Sequence, residues 1–315
     1  MSSVNSNILT PQLGFAAIPG LVDLPCYQLR FQNAAITVSL YGAQVLSYQP
    51  SPDQELLWVS SLARWQQGQA IRGGIPLCWP WFGKAAEPVQ AAWSTQTASS
   101  QPSKAVSLPN HGLVRTTLWQ LLASGSTPDF SWMTLQVSVN MPDKTHTSAD
   151  THVASDTNAQ LSCTLQLEIR LSDRLELILR CDSLQLQQAA FHSYFQVGDC
   201  TQSRVSPLPT TYDDKVTQTT VTTSDTELQF AGEVDRIYHH TAQSLQLSRA
   251  PQQLPIVIQQ HGHDASILWQ PGTTRAAQMS DIDLTESHQF VCVETAALAL
   301  EPAQLQLSQI IQLLR

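Results

Sequence analysis

Cysteine pairs at metal-binding or redox spacing are absent from this chain of 315 residues. Its six cysteines (Cys26, Cys78, Cys163, Cys181, Cys200 and Cys292) are scattered, with no C-x-x-C. Zinc-ribbon and thioredoxin-like readings fall away, and reduced thiols in a cytoplasmic protein become the expectation. Charge is scarce as well: 16 basic against 25 acidic residues leave a net charge of −9. So acidic a chain is not expected to bind nucleic acid, whose phosphates call for basic surface. Twelve of the 16 basic residues are arginine, so an Arg pair beside a pocket would be a local exception to the global balance. No apolar run reaches the roughly 18 residues of a spanning helix, and no basic flank followed by an apolar core marks a secretory signal. A membrane partner is therefore not expected. Sustained 3.6-residue amphipathicity is missing too, apart from one possible turn at Ser61–Gln67.

Short alternating or β-branched stretches recur instead. They include Ala35–Leu40, Trp132–Val139, Leu161–Leu171, Ala190–Val197, Ala265–Trp269, Phe290–Glu294 and Ala303–Leu314. Thr134–Asn140 and Ser162–Ile169 alternate cleanly, as half-buried strands do. Turn residues fall between them at the intervals of an all-β sandwich. The expectation is one domain over residues 1–315, mostly antiparallel, with polar surface excursions at about 84–108 and 142–160 that bury too little to order themselves.

The segment Arg72-Gly-Gly-Ile-Pro-Leu-Cys-Trp-Pro-Trp-Phe-Gly83 suits neither helix nor central strand, because Pro removes donors and Gly removes packing. It reads as a rigid aromatic loop with close backbone approach at Gly73 and Gly74 and a guanidinium at its edge. Such a wall suits a sugar face and an anion. Trp79, Trp81 and Phe82 could line a pocket or fill the core.

Two ionisable residues interrupt apolar strands. His192 lies in Ala-Ala-Phe-His-Ser-Tyr-Phe and Glu294 in Phe-Val-Cys-Val-Glu-Thr. Each could be a satisfied core residue or a strand-end group reaching solvent, yet burial of a carboxylate costs several kcal/mol unless it is paired or protonated. As neighbours they would form an acid–base pair. Arg115 is either a surface residue or a ligand contact. His111, beside Gly112, reads as a turn-stabilising histidine, and Asp235 either caps a turn or binds a hydroxyl. His261-Gly-His263-Asp264 and His239-His240 lack a third spaced ligand, and adjacent strand residues point to opposite faces. No metal is expected.

Taken in order, Arg-Gly-Gly-Ile-Pro-x-Cys-x-Pro-Trp-Phe-Gly, His-Gly-x-x-Arg-Thr-x-x-Trp, Phe-His-Ser-Tyr-Phe, Asp-Arg-x-Tyr and Phe-Val-Cys-Val-Glu resemble the glucose-6-phosphate 1-epimerase family of the aldose 1-epimerase superfamily. The resemblance runs from about Gln28 to the C-terminus. It implies a galactose mutarotase-like antiparallel β-supersandwich, monomeric and without cofactor, that interconverts the α and β anomers of a hexose 6-phosphate. By motif position it implies His192 as general acid and Glu294 as general base. Arg72 and Arg115 would hold the phosphate and Asp235 the sugar hydroxyls. Asn110 stands where the family commonly has Gln, one methylene longer. Trp269-Gln270-Pro271 resembles a Trp-Asn-Pro element. Two alternatives stay open: an aldose 1-epimerase for unphosphorylated sugars, and a carbohydrate-binding sandwich without activity.

Overall fold

The computed structural model describes residues 9–13, 24–87, 89–90, 108–142, 160–250, 253–300 and 302–314. Most of the two expected polar excursions (residues 91–107 and 143–159) lies outside the described residues.

Alternating patterns become antiparallel ladders throughout; among the described residues every strand-to-strand pairing is antiparallel. A four-stranded meander runs Leu9–Leu13, Pro25–Phe31, Ala34–Ser39, Gln44–Gln49. A nine-stranded sheet carries the longest strands, with Pro302–Leu313, Leu175–Leu186, Gln160–Leu171 and Ser131–Pro142 side by side. Strand Ile256–His261 lies beyond Pro302–Leu313. The eight-stranded sheet is the one that matters for function. Its order includes Val234–His239, Ala265–Gln270, Phe290–Ala297 and Ala189–Phe191, with Tyr194–Gln196 also paired to Phe290–Ala297.

Strand Phe290–Ala297 shows how residue order sets two environments. Val291 and Val293 point into the main core, while Phe290 and Cys292 join a second cluster with Trp58, Tyr194 and Ile282. Each valine contributes about 1.5–3 kcal/mol by leaving water. Glu294 falls on the same side as Cys292 because side chains alternate with period 2.

Three features refine the sequence reading, and one of them, the break in Ala190–Val197, departs from it. Ser61–Gln67 forms turns and no helix. The stretch Ala190–Val197, which reads as one strand, is broken: His192 and Ser193 leave the regular pairing between Ala189–Phe191 and Tyr194–Gln196. Here the His192 N–H donates to the Pro76 carbonyl at 3.0 Å, and the Ser193 carbonyl accepts from the Val293 N–H at 3.2 Å. Trp79 and Trp81 are fully buried and belong to the core, with only Phe82 of that trio at a cavity. Their indole N–H groups explain this, because each finds an interior acceptor: Trp79 on Gln187 at 2.7 Å and Trp81 on the Pro109 carbonyl at 2.8 Å. Close approach at Gly73 and Gly74 is present. A Cβ on Gly73 would lie 2.4 Å from the Trp58 carbonyl oxygen, and one on Gly74 would lie 2.2 Å from that of Val45.

Candidate active site

A cavity of about 530 Å³ opens on the eight-stranded sheet, a size suited to one small molecule. Its floor is a grid of alternate residues from three adjacent strands. Asp235 pairs with Trp269, Ile237 with Ile267, and Ile267 with Glu294. Loops supply the walls. All six residues singled out from the sequence line this one cavity: Arg72, Asn110, Arg115, His192, Asp235 and Glu294.

His192 and Glu294 meet, with Nδ1 and Oε1 3.3 Å apart and only 7% and 1% exposure. Burial pushes the Glu294 carboxyl well above the ordinary range, and nearby Asp235 adds to it. Burial likewise holds His192 well below its ordinary value, helped by His111, Arg72 and Arg115. The two directions together favour a shared proton on the carboxyl over one on the imidazole, the reverse of the family roles. Tyr194 stacks on His192 with ring centroids 4.9 Å apart and 7° between planes, and fixes the ring orientation.

The two arginines differ. Arg72 is half-buried, and its Nε and a terminal nitrogen both reach Asp281 Oδ2 at 3.0 Å while the other donates to the Tyr194 hydroxyl at 2.8 Å. Arg115 donates to the Asn110 carbonyl at 2.8 Å and forms no salt bridge among the described residues. Its remaining donors have no hydrogen-bond partner among the described residues. Asn110 itself is exposed, and the contact it makes to Arg115 comes from its backbone.

Sequence reasoning missed several lining groups. Lys84, Lys215 and Arg275 add three cations to the two arginines, and Lys84 and Lys215 are the only lysines among the described residues. Scarcity of lysine was the signal that could have found them. Asp281 was also missed, since nothing local marks it as the partner of Arg72. His111 does more than stabilise a turn. Its Nδ1 accepts from the Gly83 N–H at 3.2 Å, which leaves the proton on Nε2. Burial, then Arg115 and Arg72, pull its pKa down to about 3, so it is a neutral donor.

Gly112 holds that histidine in place. It has φ +77°, and a Cβ there would meet the Trp79 carbonyl oxygen at 1.9 Å. Gly112→Ala is expected to lose about 1–2 kcal/mol from the left-handed backbone alone, with the clash in addition. A thermal melt unchanged from wild type would contradict this.

Among the described residues His192, Cys292 and Glu294 could hold a metal, their ligand atoms lying within 4.8 Å of one another. Burial above all, and then its neighbour Glu294, push the Cys292 thiol well up, which makes it a reluctant ligand. His239, by contrast, is bound to Asp213 at 3.0 Å, and His263 approaches the Thr241 carbonyl at 3.2 Å.

Stacked antiparallel sheets bearing a buried imidazole–carboxylate pair at the floor of a sugar-sized cavity place this protein in the galactose mutarotase-like class. A family model described as aldose 1-epimerase matches residues 25–312. The chain belongs to the aldose 1-epimerase family and is an isomerase, a mutarotase. A Salmonella typhimurium protein named "Putative glucose-6-phosphate 1-epimerase" is 27% identical over 276 residues, covering 87% of this chain and 84% of that one. The crystal structure of a "putative mutarotase" from the same organism aligns with a TM-score of 0.77 at 27% identity, over 97% of this chain and 93% of that chain. Galactose 1-epimerase from Lactobacillus acidophilus shares the fold, with a TM-score of 0.64 at 11% identity over 96% of this chain and 98% of that one. Among the described residues no helix is long and apolar enough to cross a membrane.

Proposed function

We propose that this enzyme interconverts the α and β anomers of glucose 6-phosphate or a related hexose 6-phosphate. The observation that carries the reading is the charge of the cavity: Arg72, Lys84, Arg115, Lys215 and Arg275 line it in a chain of net charge −9. A phosphate dianion suits guanidinium forks, and Arg115 has donors to spare. The naming of the Salmonella relative agrees.

Glu294 takes the proton of the anomeric hydroxyl while His192 gives one to the ring oxygen. The bond between C1 and the ring oxygen breaks, and the open-chain aldehyde turns about C1–C2. Closure with the roles reversed gives the other anomer. Asp235 holds sugar hydroxyls, Asn110 and the neutral His111 offer donors, and Trp269 and Phe82 cover the apolar face. For His192 to start as acid, the proton must move to it from Glu294. Burial opposes that first, and His111, Arg72 and Arg115 add to it. A bound phosphate offsets the part due to the two arginines, so a phosphorylated sugar eases the transfer.

One observation favours the second reading, an unphosphorylated aldose: Arg72 is already held by Asp281 and Tyr194. Anomer exchange followed by NMR with glucose 6-phosphate, glucose and galactose decides, after subtraction of the spontaneous rate. Acceleration confined to the phosphosugar is expected; acceleration of free sugars alone would discard the phosphate site. We further propose that the chain is one domain, in keeping with the match over residues 25–312, and that it is monomeric and cytoplasmic.

A further inference from the structure

A run of buried hydrogen bonds lies beneath the His192–Glu294 pair, on the core side of the sheet. Ser193, next to His192, donates its hydroxyl to Gln309 Oε1 at 2.6 Å. Gln309 Nε2 donates to Thr295 Oγ1 at 2.8 Å, and Thr295 follows Glu294. One glutamine of the nine-stranded sheet thus joins the residue after the acid to the residue after the base. Thr295 in turn donates to Gln260 Oε1 at 2.9 Å, where Ser266 also donates at 2.9 Å. Gln260 and Gln309 are paired across their strands, as are Ser266 and Thr295. All five of these side chains are fully buried.

The run has one sense. With the Thr295 hydroxyl proton committed to Gln260, its oxygen can only accept from Gln309 Nε2. That orients the Gln309 amide with Oε1 toward Ser193. Nothing comparable holds the pair from the cavity side. Among the described residues Glu294 Oε2 has no hydrogen-bond partner, His192 Nδ1 approaches Glu294 Oε1 at 3.3 Å without an aligned hydrogen bond, and the imidazole is otherwise held by ring packing against Tyr194, His111 and Trp269. His192 and Ser193 also lie where regular strand pairing lapses, so their backbone has fewer ladder constraints than its neighbours. An apolar trio in the same space would be about as stable, because paired buried polar groups add little net stability. What the bridge adds is a defined geometry.

We propose that Gln309 is a positioning residue that acts through Ser193 and Thr295 to set the separation of the His192 imidazole and the Glu294 carboxyl. The inference rests on the reading of that pair as the groups that move protons. Strand alternation makes the coupling direct: a shift of Ser193 or Thr295 toward the core carries the adjacent side chain with it on the opposite face.

The decisive variant is the triple Ser193→Ala, Thr295→Val, Gln309→Leu, which removes the bridge without leaving its members half-paired. Anomer exchange is measured on glucose 6-phosphate, or on glucose if only the free sugar is accelerated. The triple variant is expected to melt near the wild-type temperature with kcat reduced about 10–100-fold, as misplacement by about 1 Å does. KM should stay within about twofold, since no substrate-holding group is touched. The kcat–pH profile should shift, and Thr295→Ser, which keeps the hydroxyl, should retain wild-type kcat. Wild-type kcat and pH profile in the triple variant would overturn the proposal. If that variant does not fold, equal kcat for Thr295→Val and Thr295→Ser would overturn it instead. His192→Gln and Glu294→Gln are assayed alongside. Turnover by either means that the acid–base reading has failed, whereas two inactive variants beside an unimpaired triple variant mean that only the positioning role has failed.

Discussion

Glu294→Gln is expected to lower anomer exchange by about 10²–10⁴-fold, the usual contribution of one positioned proton carrier, while the folded protein becomes more stable. Both effects come from one cause. Burial, and then Asp235, hold the Glu294 carboxyl well above its ordinary value near 4.5. A group raised on folding contributes stability that is complete below its unfolded value and is lost as pH rises through its folded value. Gln has nearly the same shape and nothing to ionise. The melting temperature of the variant should therefore exceed that of wild type by a margin that opens above about pH 4.5 and is widest once pH has passed the raised value. Thermal melts of both proteins across pH provide the check. A margin independent of pH would mean that the carboxyl is not held protonated by its surroundings, and near-normal turnover would remove Glu294 from the mechanism.

Arg115→Ala should raise KM for glucose 6-phosphate by about 10–100-fold, in line with the roughly 1.5–3 kcal/mol of a hydrogen bond to a charged group. The effect on an unphosphorylated aldose should be much smaller. Arg72→Ala is expected to raise KM strongly as well, but with a structural component, because it also leaves Asp281 without its partner and frees the Tyr194 hydroxyl beneath His192. Steady-state kinetics on both sugars separate the two. A phosphosugar KM unchanged in both variants would refute the phosphate assignment and favour a free aldose.

The groups at the floor of the cavity were legible in the sequence because an ionisable residue within an apolar strand is conspicuous. That His192 and Glu294 touch was not, since contact depends on which strands are neighbours and in what register. Strand Phe290–Ala297 could be read from its short apolar, β-branched run, whereas Val234–His239, which carries Asp235, could not. Asp235, Arg236 and Ile237 are all only half-buried there, so polarity does not alternate. The break at His192–Ser193 was hidden for the opposite reason: both residues are buried, so nothing in local hydropathy interrupts the strand. Trp79 and Trp81 show a further limit. Aromatics in a Pro- and Gly-rich loop suggest a binding wall, and only the acceptors waiting in the interior decide that they turn inward.

The cations of the cavity all lie outside strands. Arg72 and Lys84 are in loop, Arg115 in the 3₁₀ turn Val114–Thr116, Lys215 just after strand Thr211–Asp214, and Arg275 in the short helix Gly272–Ala276. Glu294, Asp235 and Trp269 sit on strands. Reagent and address are thus written in separate parts of the chain. Loops tolerate insertion and replacement far better than a paired sheet does, so the anionic end of the proposed substrate could be exchanged for a neutral or longer group by loop grafting alone. The proton-moving floor would be inherited intact.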